Sequence, residues 1–387
     1  MTRAPIDDLL VVGGGIIGLC IAREAARAGL RVRLFEKGEI GREASFAAAG
    51  LLGPQIGVDR PEPLLALCLA SRDLYPEFAR QVRDESGIDP GFSERGTLVV
   101  AWRGAGTDDL DRQCEFQRSI GLAAERLRGD DVRRLEPSLS AECAEGLYLS
   151  RDLSVDPVPL VRGLERSAER LGVGLERGTG VDALLSEGGR VVGVRAGSDK
   201  VSGGAVVIAA GAWSGEIAGD GVAPVPTAPV RGQIVCLGPA TAPGRPVYAD
   251  DVYLVPRSDG RVLVGSTMER VGYDRRVTAS GIAGLAAAAV ALVPALGDAP
   301  FHSAWAGLRP ATGDDRPALG HATVRGLLYA CGHLRQGILL APITAVVILR
   351  LLRGVDPGFD LTAFEPGRFQ AGALSEADAA SRDRARR

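Results

Sequence analysis

The sequence has few histidines, and its cysteines are not arranged in pairs. His302, His321 and His333 are 19 and 12 positions apart, so they form no H-x-x-x-H metal motif. The 6 cysteines include no C-x-x-C pair, which argues against a zinc site and against a disulfide scaffold. We therefore expect buried, reduced thiols and no bound metal.

No single sign of charge dominates, and several motifs of common enzyme classes are missing. The chain has 45 Lys and Arg against 48 Asp and Glu, a net charge of -3, and no basic run before its last few residues. Nucleic acid is therefore not the expected partner. The absence of G-x-S-x-G, P-loop and H-E-x-x-H motifs leaves hydrolase and kinase functions without support.

One uncharged stretch, Val277 to Gly297, has the length of a membrane span. It is rich in Ala and Gly, contains Pro294 and follows a charged tripeptide, so we interpret it as a helix packed on a sheet. The N-terminus does not have the pattern of a signal peptide, because Asp7 and Asp8 precede the first apolar run. We expect a soluble, cytoplasmic protein.

Glycine, by contrast, is abundant, with 52 residues, and it is clustered. Gly13, Gly15 and Gly18 form G-x-G-x-x-G directly after the apolar run Leu9–Val12 and before a helical pattern. A second apolar run then ends at Glu36, 18 residues after Gly18. This is the order of elements in a strand–helix–strand nucleotide-binding unit.

Each part of this motif has a physical role. The first glycine makes a tight turn, the second lets the backbone approach a pyrophosphate, and the third lets helix and strand pack closely. The helix N-terminus favours the phosphate charge, and Glu36 is placed to accept hydrogen bonds from a ribose. The element predicts a bound dinucleotide and by itself leaves NAD and FAD both open.

Further along the chain, helical and extended patterns alternate. Helices are predicted at about 64–86, 108–128, 158–171 and 337–352, and strands near 97–102, 175–181, 191–194, 206–210, 230–237, 253–256, 261–266 and 327–329. We interpret the order as an α/β fold with one discontinuous Rossmann-like dinucleotide-binding domain (1–60, 140–225 and 305–370). An antiparallel-sheet α+β substrate domain (61–139 and 226–304) is inserted into it, and a mobile tail (371–387) follows.

Two side chains and one loop are candidates for chemistry. Arg309 lies in the apolar stretch Trp305–Pro310, where its guanidinium needs either a substrate carboxylate or a structural ion pair. Tyr253 offers a second hydrogen bond, although a tyrosine in a strand is also common packing. The loop Gly332–Gly337 precedes an apolar helix whose N-terminus either faces a flavin ring or is an ordinary connection.

Four segments together resemble the D-amino-acid oxidase superfamily of FAD-dependent amine oxidases, most closely its glycine oxidases of the thiamine-biosynthesis type. The segments are Val11–Ala22 with Leu34–Leu52, Val206–Ser214, Tyr248–Met268, and Trp305–Gly320 with Gly332–Pro342. The first two are shared widely among FAD amine oxidases, and the last two are specific to this branch. Order and spacing fit the family to about residue 370.

The resemblance implies FAD, so the first predicted domain becomes an FAD-binding domain. Covalent members use a Cys near the position of Arg309, and none is present there, so we expect non-covalent FAD. The resemblance implies cofactor contacts from Gly13, Gly15, Ile16, Ile17, Gly18, Glu36, Lys37, Ala44, Ser45, Ala49, Gly50, Leu51, Val181, Gly211, His333, Leu334, Arg335, Gln336, Gly337, Ile338 and Leu339.

The resemblance also implies a substrate site. Arg309 and Arg335 would hold the substrate carboxylate with Tyr253 nearby, and these three are the candidate catalytic residues. Asp251, Leu51 and Met268 are further candidate substrate-binding residues. Glycine oxidases carry His where this chain has Asp251 and Met where it has Leu51, so the substrate within the class stays open.

The implied reaction is oxidative deamination of glycine and small amines. A hydride passes from the substrate carbon to flavin N5, giving an imine that hydrolyses to glyoxylate and ammonia, while oxygen is reduced to hydrogen peroxide. The imine could instead supply thiamine thiazole synthesis. Oxidases or dehydrogenases of D-amino acids or sarcosine are the alternative within the class, and a flavin-binding protein without turnover is the alternative outside it. The family also implies a homotetramer.

Overall fold

The computed structural model describes residues 6–103, 105–240, 242–250 and 252–369. The predicted mobile tail and Asp251 lie outside these described residues. The helices are α1 (Ile16–Arg27), α2 (Ala44–Ala47), α3 (Pro63–Ser86), α4 (Thr107–Ser119), α5 (Asp130–Leu135), α6 (Pro157–Arg170), α7 (Ala279–Leu292) and α8 (Gly337–Leu352).

The strands of the described residues fall into two large sheets and one short pair. They are β1 (Asp7–Val12), β2 (Val32–Glu36), β3 (Leu51–Leu52), β4 (Thr97–Trp102), β5 (Glu125–Arg128), β6 (Cys143–Leu149), β7 (Leu153–Ser154), β8 (Gly174–Arg177), β9 (Ala183–Glu187), β10 (Arg190–Ala196), β11 (Asp199–Ile208), β12 (Ala228–Leu237), β13 (Val247–Ala249), β14 (Val252–Pro256), β15 (Val262–Gly265), β16 (Phe301–Ala311), β17 (Ala318–His321) and β18 (Leu327–Cys331).

The first sheet has the order β17-β18-β11-β1-β2-β8, with β9 and β10 attached beside β11. Strand β1 is parallel to both β2 and β11, which places it in the middle of the sheet. Its side chains alternate between two apolar clusters, with Leu9 and Val11 on the helix-covered face and Leu10 and Val12 on the other. Burial on both faces explains its continuous apolar sequence, and the predicted α/β fold is confirmed.

The second sheet has the order β16-β12-β15-β14-β13-β4-β6-β5 and is antiparallel apart from the β13–β4 pair. Helix α7 covers it with Leu285, Ala289 and Leu292. The uncharged stretch Val277 to Gly297 therefore contains a helix packed on a sheet, as predicted. In the described part of the chain, no helix is long and apolar enough to cross a membrane.

Some elements lie elsewhere than the sequence suggested. The predicted helix 108–128 is wrong in its second half, because α4 ends at Ser119, Gly121 adopts a positive φ of 79°, and β5 pairs with β6. Helix α3 packs its Tyr75 and Phe78 in the core of the first sheet, although it falls within the range predicted for the substrate domain. Strands β6 and β16 join the second sheet, and the predicted domain limits stay a prediction.

The cysteines are distributed through the apolar core. The five apolar clusters of the described residues each contain at least one, and all six thiols are buried and free. Cys20 and Cys68 lie in the largest cluster, and Cys143, Cys331, Cys114 and Cys236 lie one in each of the others. Burial raises the pKa of the Cys68 and Cys331 thiols to about 12.

Candidate active site

One elongated cavity of about 870 Å³ is lined by residues of both large sheets. At one end it is lined by the glycine-rich turn after β1 and by the end of β2. At the other end it is lined by side chains of β14 and β16 and by the loop after β15. The loop before α8 lies along the same cavity. A cavity whose two ends are lined by such different groups fits a ligand with two chemically different ends.

The glycine-rich turn has the geometry that its sequence predicted. Gly13 has a φ of +112°, and a Cβ there would overlap the carbonyl oxygen of Ala209 at the end of β11. A Cβ on Gly18 would overlap the carbonyl oxygen of Gly13, so this third glycine allows close packing beneath the turn. Helix α1 begins after Gly15, and the Ile16 N–H donates to Ser45 Oγ at 3.0 Å.

Glu36 is held at the wall of the cavity by two backbone donors. The Gly14 N–H donates to its Oε2 at 2.8 Å and the Gly38 N–H donates to its Oε1 at 2.9 Å. Each carboxylate oxygen keeps capacity for a further hydrogen bond. The carboxylate is therefore fixed in position and able to accept from a ribose hydroxyl.

Beyond Glu36, an aromatic stack closes the same end of the cavity. The Lys37 ammonium lies 3.5 Å from the centroid of the Trp213 ring, and Tyr273 stacks on that ring at 5.5 Å between centroids. Burial lowers the pKa of Lys37. Trp213 and Lys37 both line the cavity, so an aromatic ring and a positive charge lie together at this end.

The loop before α8 is tied to both neighbouring elements. The buried His333 ring pairs through Nε2 with Thr344 Oγ1 at 3.2 Å, and burial lowers the pKa of His333 to about 4. Leu334, with a φ of 45°, donates its N–H to the Pro310 carbonyl at 2.8 Å, which joins the loop to β16. Arg335 is exposed and lines the cavity. The ring of His333 is thus neutral at physiological pH and engaged with the helix.

At the opposite end, Arg309 is half-buried and held by hydrogen bonds to neutral groups. Its Nη1 donates to the Thr267 carbonyl at 3.0 Å and its Nη2 to Ser266 Oγ at 2.5 Å. No ion pair to Arg309 is found among the described residues. Burial lowers its pKa, the nearby Tyr253 hydroxyl partly offsets this, and the charge of Arg335 lowers it further. Within the part of the chain that the structure describes, the structural ion pair considered from the sequence is therefore not observed.

Two strand glycines make room for the substrate-end side chains. A Cβ on Gly232 of β12 would overlap the Arg309 guanidinium, and one on Gly265 of β15 would overlap the Tyr253 ring. Tyr253 also stacks against Tyr248 at 6.4 Å between centroids. Glycine within a strand often marks such a close approach, and this was the available sequence signal for the site.

Most of the predicted site residues line this one cavity. Arg309, Tyr253, Arg335, Leu51 and Met268 are among them, and so are the predicted cofactor residues apart from Gly18 and Leu339. Gly18 lies under the turn, and the Leu339 side chain is buried in the core while its carbonyl accepts from Ser71. Further lining residues not predicted from the sequence are Glu43, Trp213, Glu216, Gly232, Tyr248, Asp250 and Ser266.

A buried acid lies behind the cavity wall near Leu51. A Cβ on Gly53, which lines the cavity, would be 3.1 Å from Asp152 Oδ2. Neither carboxyl oxygen of Asp152 makes a well-formed hydrogen bond within the described residues. Burial raises the pKa of Asp152 to about 8, and the nearby Thr97 hydroxyl and Arg72 guanidinium lower it only in part. The carboxyl is therefore mostly protonated at neutral pH.

The fold and this cavity define a flavin-dependent oxidoreductase. The chain matches the family model described as FAD dependent oxidoreductase (DAO) over residues 8–351, and it belongs to that family. FAD is therefore the cofactor, and the glycine turn, fixed Glu36 and long cavity fit it. This settles the choice between NAD and FAD that the glycine motif left open.

The comparisons with individual proteins agree with this assignment. The chain is 37% identical to "Glycine oxidase" of Geobacillus kaustophilus over 92% of this chain and 96% of that protein. The crystal structure of glycine oxidase from Geobacillus kaustophilus has a TM-score of 0.89, covering 94% of this chain and 99% of that one. "Bifunctional protein ThiO/ThiG" of Trichormus variabilis is 33% identical over 96% of this chain and 56% of that protein.

Proposed function

We propose that this enzyme oxidatively deaminates glycine and similarly small amino acids. Glycine, oxygen and water would give glyoxylate, ammonia and hydrogen peroxide. Similarity to glycine oxidase over nearly the full length of both chains supports the substrate class. The observation that carries the proposal is Arg309, a half-buried guanidinium at the cavity wall that forms no ion pair among the described residues.

Arg309 and Tyr253 would fix the substrate by its carboxylate. A guanidinium matches a carboxylate with two parallel hydrogen bonds, and a phenol adds a third. Because Ser266 and Thr267 hold the Arg309 nitrogens, the cation is preorganised before substrate arrives. Arg335, on the exposed rim, adds positive charge that favours an anionic substrate.

The glycine turn and Glu36 would hold FAD, which would supply an acceptor for a hydride equivalent from the substrate carbon and a route for its electrons to oxygen. Catalysis by the protein is then mainly orientation, since the chain needs only to hold the substrate at a fixed angle. His333 is an unsuitable base, because burial lowers its pKa to about 4, which makes it a weak proton acceptor, and its Nε2 is paired with Thr344. The N-terminus of α8, directed at the cavity by the loop at 333–336, supplies positive electrostatic potential.

Asp251, at the position where glycine oxidases carry His, lies outside the described residues. Its neighbour Asp250 is exposed, has a φ of 49° and lines the cavity. A carboxylate here would attract the substrate amine and repel its carboxylate. D-amino acids and sarcosine are therefore tested as alternative substrates beside glycine.

We also propose a cytoplasmic homo-oligomer, with a tetramer expected from the family resemblance. The match to ThiO/ThiG supports a role of the imine product in thiamine thiazole synthesis. Light scattering of the purified holoenzyme measures the mass of the assembly against the 40.3 kDa chain.

Anaerobic mixing of the FAD-loaded protein with glycine, followed by air, tests the reaction. We expect the flavin absorbance to bleach and then to recover with formation of peroxide. Bleaching that does not recover in air identifies a dehydrogenase. No bleaching with glycine contradicts the proposal, and D-alanine, D-proline and sarcosine then test the alternatives; a carrier protein bleaches with none of them.

A further inference from the structure

The segment 266–278, called the strap here, connects β15 to α7 and runs along the cavity. Its first residues contact Arg309, its Tyr273 stacks on Trp213, and its Arg275 pairs with both carboxylate oxygens of Glu43 at 2.9 Å. Glu43 and Trp213 line the cavity. The position of the strap therefore affects both ends of the ligand site.

Glu269 is the polar anchor at the start of this strap. Its Oε1 accepts from Thr267 Oγ1 at 2.6 Å and from Gln233 Nε2 at 2.8 Å, while its Oε2 pairs with Arg231. The Arg231 partnership and these hydrogen bonds hold the pKa of Glu269 at about 2. The backbone of Glu269 also exchanges two hydrogen bonds with that of Arg231, at 2.8 and 3.0 Å.

Thr267 transmits this anchoring to the substrate-binding arginine. Its hydroxyl donates to Glu269 and accepts from the Gln233 N–H at 2.9 Å, which fixes the orientation of the residue. Its carbonyl accepts from Arg309 Nη1 at 3.0 Å. On its other side, the guanidinium lies against the backbone of Gly232, where a Cβ would overlap it. Arg309 is thus held between β12 and the strap.

We propose that Glu269 is a positioning residue for substrate binding: it fixes Thr267, whose carbonyl orients the Arg309 guanidinium toward the substrate carboxylate. Glu269 does not line the cavity and does not touch Arg309 itself. The inference rests on the proposed function, since it assumes that Arg309 binds a carboxylate. It assigns a functional role to a residue that would otherwise count only as half of a structural ion pair.

The test compares Glu269→Ala with the conservative variant Glu269→Gln in the FAD-loaded enzyme. We expect Glu269→Ala to raise the glycine KM by about ten-fold while kcat changes by less than about three-fold. Glutamine retains an acceptor oxygen for Thr267, so Glu269→Gln should recover most of the loss. The Kd of glycolate, a carboxylate ligand without an amine, is measured from the flavin spectrum and should rise in parallel.

Asp274→Asn is the matched control. Asp274 pairs with Arg231 Nη1 at 3.0 Å but contacts neither Thr267 nor Gln233, so this variant weakens the same ion-pair network without releasing Thr267. Its KM and glycolate Kd should stay within about two-fold of the wild-type values. Equal effects of Asp274→Asn and Glu269→Ala would contradict the proposal, because the network would then act only as structural support.

Thr267→Val provides a second route if Glu269→Ala does not fold. It removes the hydroxyl that contacts Glu269 and leaves the carbonyl that contacts Arg309, so it should raise the glycolate Kd similarly. Adding Glu269→Gln to it should change nothing further, because the Thr267 hydroxyl that residue 269 contacts is already absent. Unchanged glycolate binding in a folded, FAD-loaded variant overturns the role of Glu269. Failure of the wild type to oxidise glycine contradicts the proposed function instead.

Discussion

At the glycine-rich end of the cavity the protein presents mainly backbone, whereas at the Arg309 end it presents side chains. At the first end, Gly13, Gly15 and Glu36 follow the order of one βαβ unit, and Trp213 joins them from a later segment. The second is assembled from β14, β16 and the loop after β15, which are separated along the chain but adjacent in the sheet. A backbone site depends on tight steric fit, and a side-chain site depends on charge and support from neighbours.

Among the substitutions considered, replacing a glycine of the turn after β1 should have the largest effect on FAD binding and on stability. Gly13→Ala places a Cβ on the Ala209 carbonyl and requires a positive φ, so we expect FAD binding to be lost, with a stability loss of about 3 kcal/mol or more. Bound flavin after gel filtration and the free energy of unfolding measure this. Gly29→Ala is the control, since Gly29 also has a positive φ, of 87°, but no atom near its Cβ position. Retention of FAD by Gly13→Ala would show that the turn tolerates movement.

The corresponding change at the side-chain end should spare the cofactor. Arg309→Ala removes a charged partner of the substrate carboxylate, so we expect KM for glycine to rise about 100- to 1,000-fold, or roughly 3 to 4 kcal/mol, while FAD stays bound. Steady-state kinetics and flavin content measure the two effects separately. Arg270→Ala, at an exposed arginine of the strap paired with Asp315, should leave KM unchanged. An unchanged KM in Arg309→Ala would remove this residue from the site.

The buried acid near the substrate end should make stability depend on pH. The folded-state pKa of Asp152, about 8, lies above its unfolded value, so folding takes up a proton between these values and stability falls as pH rises through that range. Asp152→Asn has no such proton to take up. The free energy of unfolding of Asp152→Asn, relative to that of the wild type, should increase by roughly 1 kcal/mol per pH unit between about pH 5 and pH 8. Urea unfolding at several pH values checks this, and a constant difference would contradict it.

A smaller effect on the glycine KM is expected from replacing Gly232, the strand glycine against which the Arg309 guanidinium packs. Gly232→Ala pushes the guanidinium away from its position, but a side chain can move, so we expect KM to rise by about 10- to 30-fold, or roughly 1.4 to 2 kcal/mol. Kinetics of the FAD-loaded variant measure the change. Gly174→Ala on β8 is the control, because its nearest neighbour, Arg33, is at an ordinary contact distance of 3.6 Å. Equal KM values for the two variants would show that Arg309 readjusts freely.

The difference between the two ends of the cavity also explains which site residues could be predicted from the sequence and which could not. Gly13, Gly15 and Gly18 could be assigned from spacing alone, because their roles depend on residues close in the chain. The role of Gly232 could not, because it appears only when β12 pairs with β16 and places Val230 opposite Arg309. Arg309 itself was identified from its apolar surroundings, while its two supports, Ser266 and Thr267, required the three-dimensional arrangement.

The prediction of a helix over 108–128 was wrong in its second half for a related reason. The polar residues there fit a helical period, but the left-handed Gly121 turns the chain, and Glu125–Arg128 gains strand hydrogen bonds with β6. Helix α8, in contrast, was predicted at its observed limits because a long apolar run begins directly after the loop glycine. An element with a strong local pattern, such as α8, could be predicted from the sequence. An element that depends on pairing with a distant strand, such as β5, could not.

The distribution of the cysteines has a practical consequence for following the molecule in motion. Because each apolar cluster of the described chain holds at least one buried thiol, a thiol-specific reagent in native buffer reaches a cysteine only when its own cluster opens. Mass spectrometry of the labelled peptides then resolves Cys143, in the cluster to which α7 contributes, from Cys20 on α1. The wild-type sequence therefore contains built-in reporters of the order in which its two sheets separate from their helices.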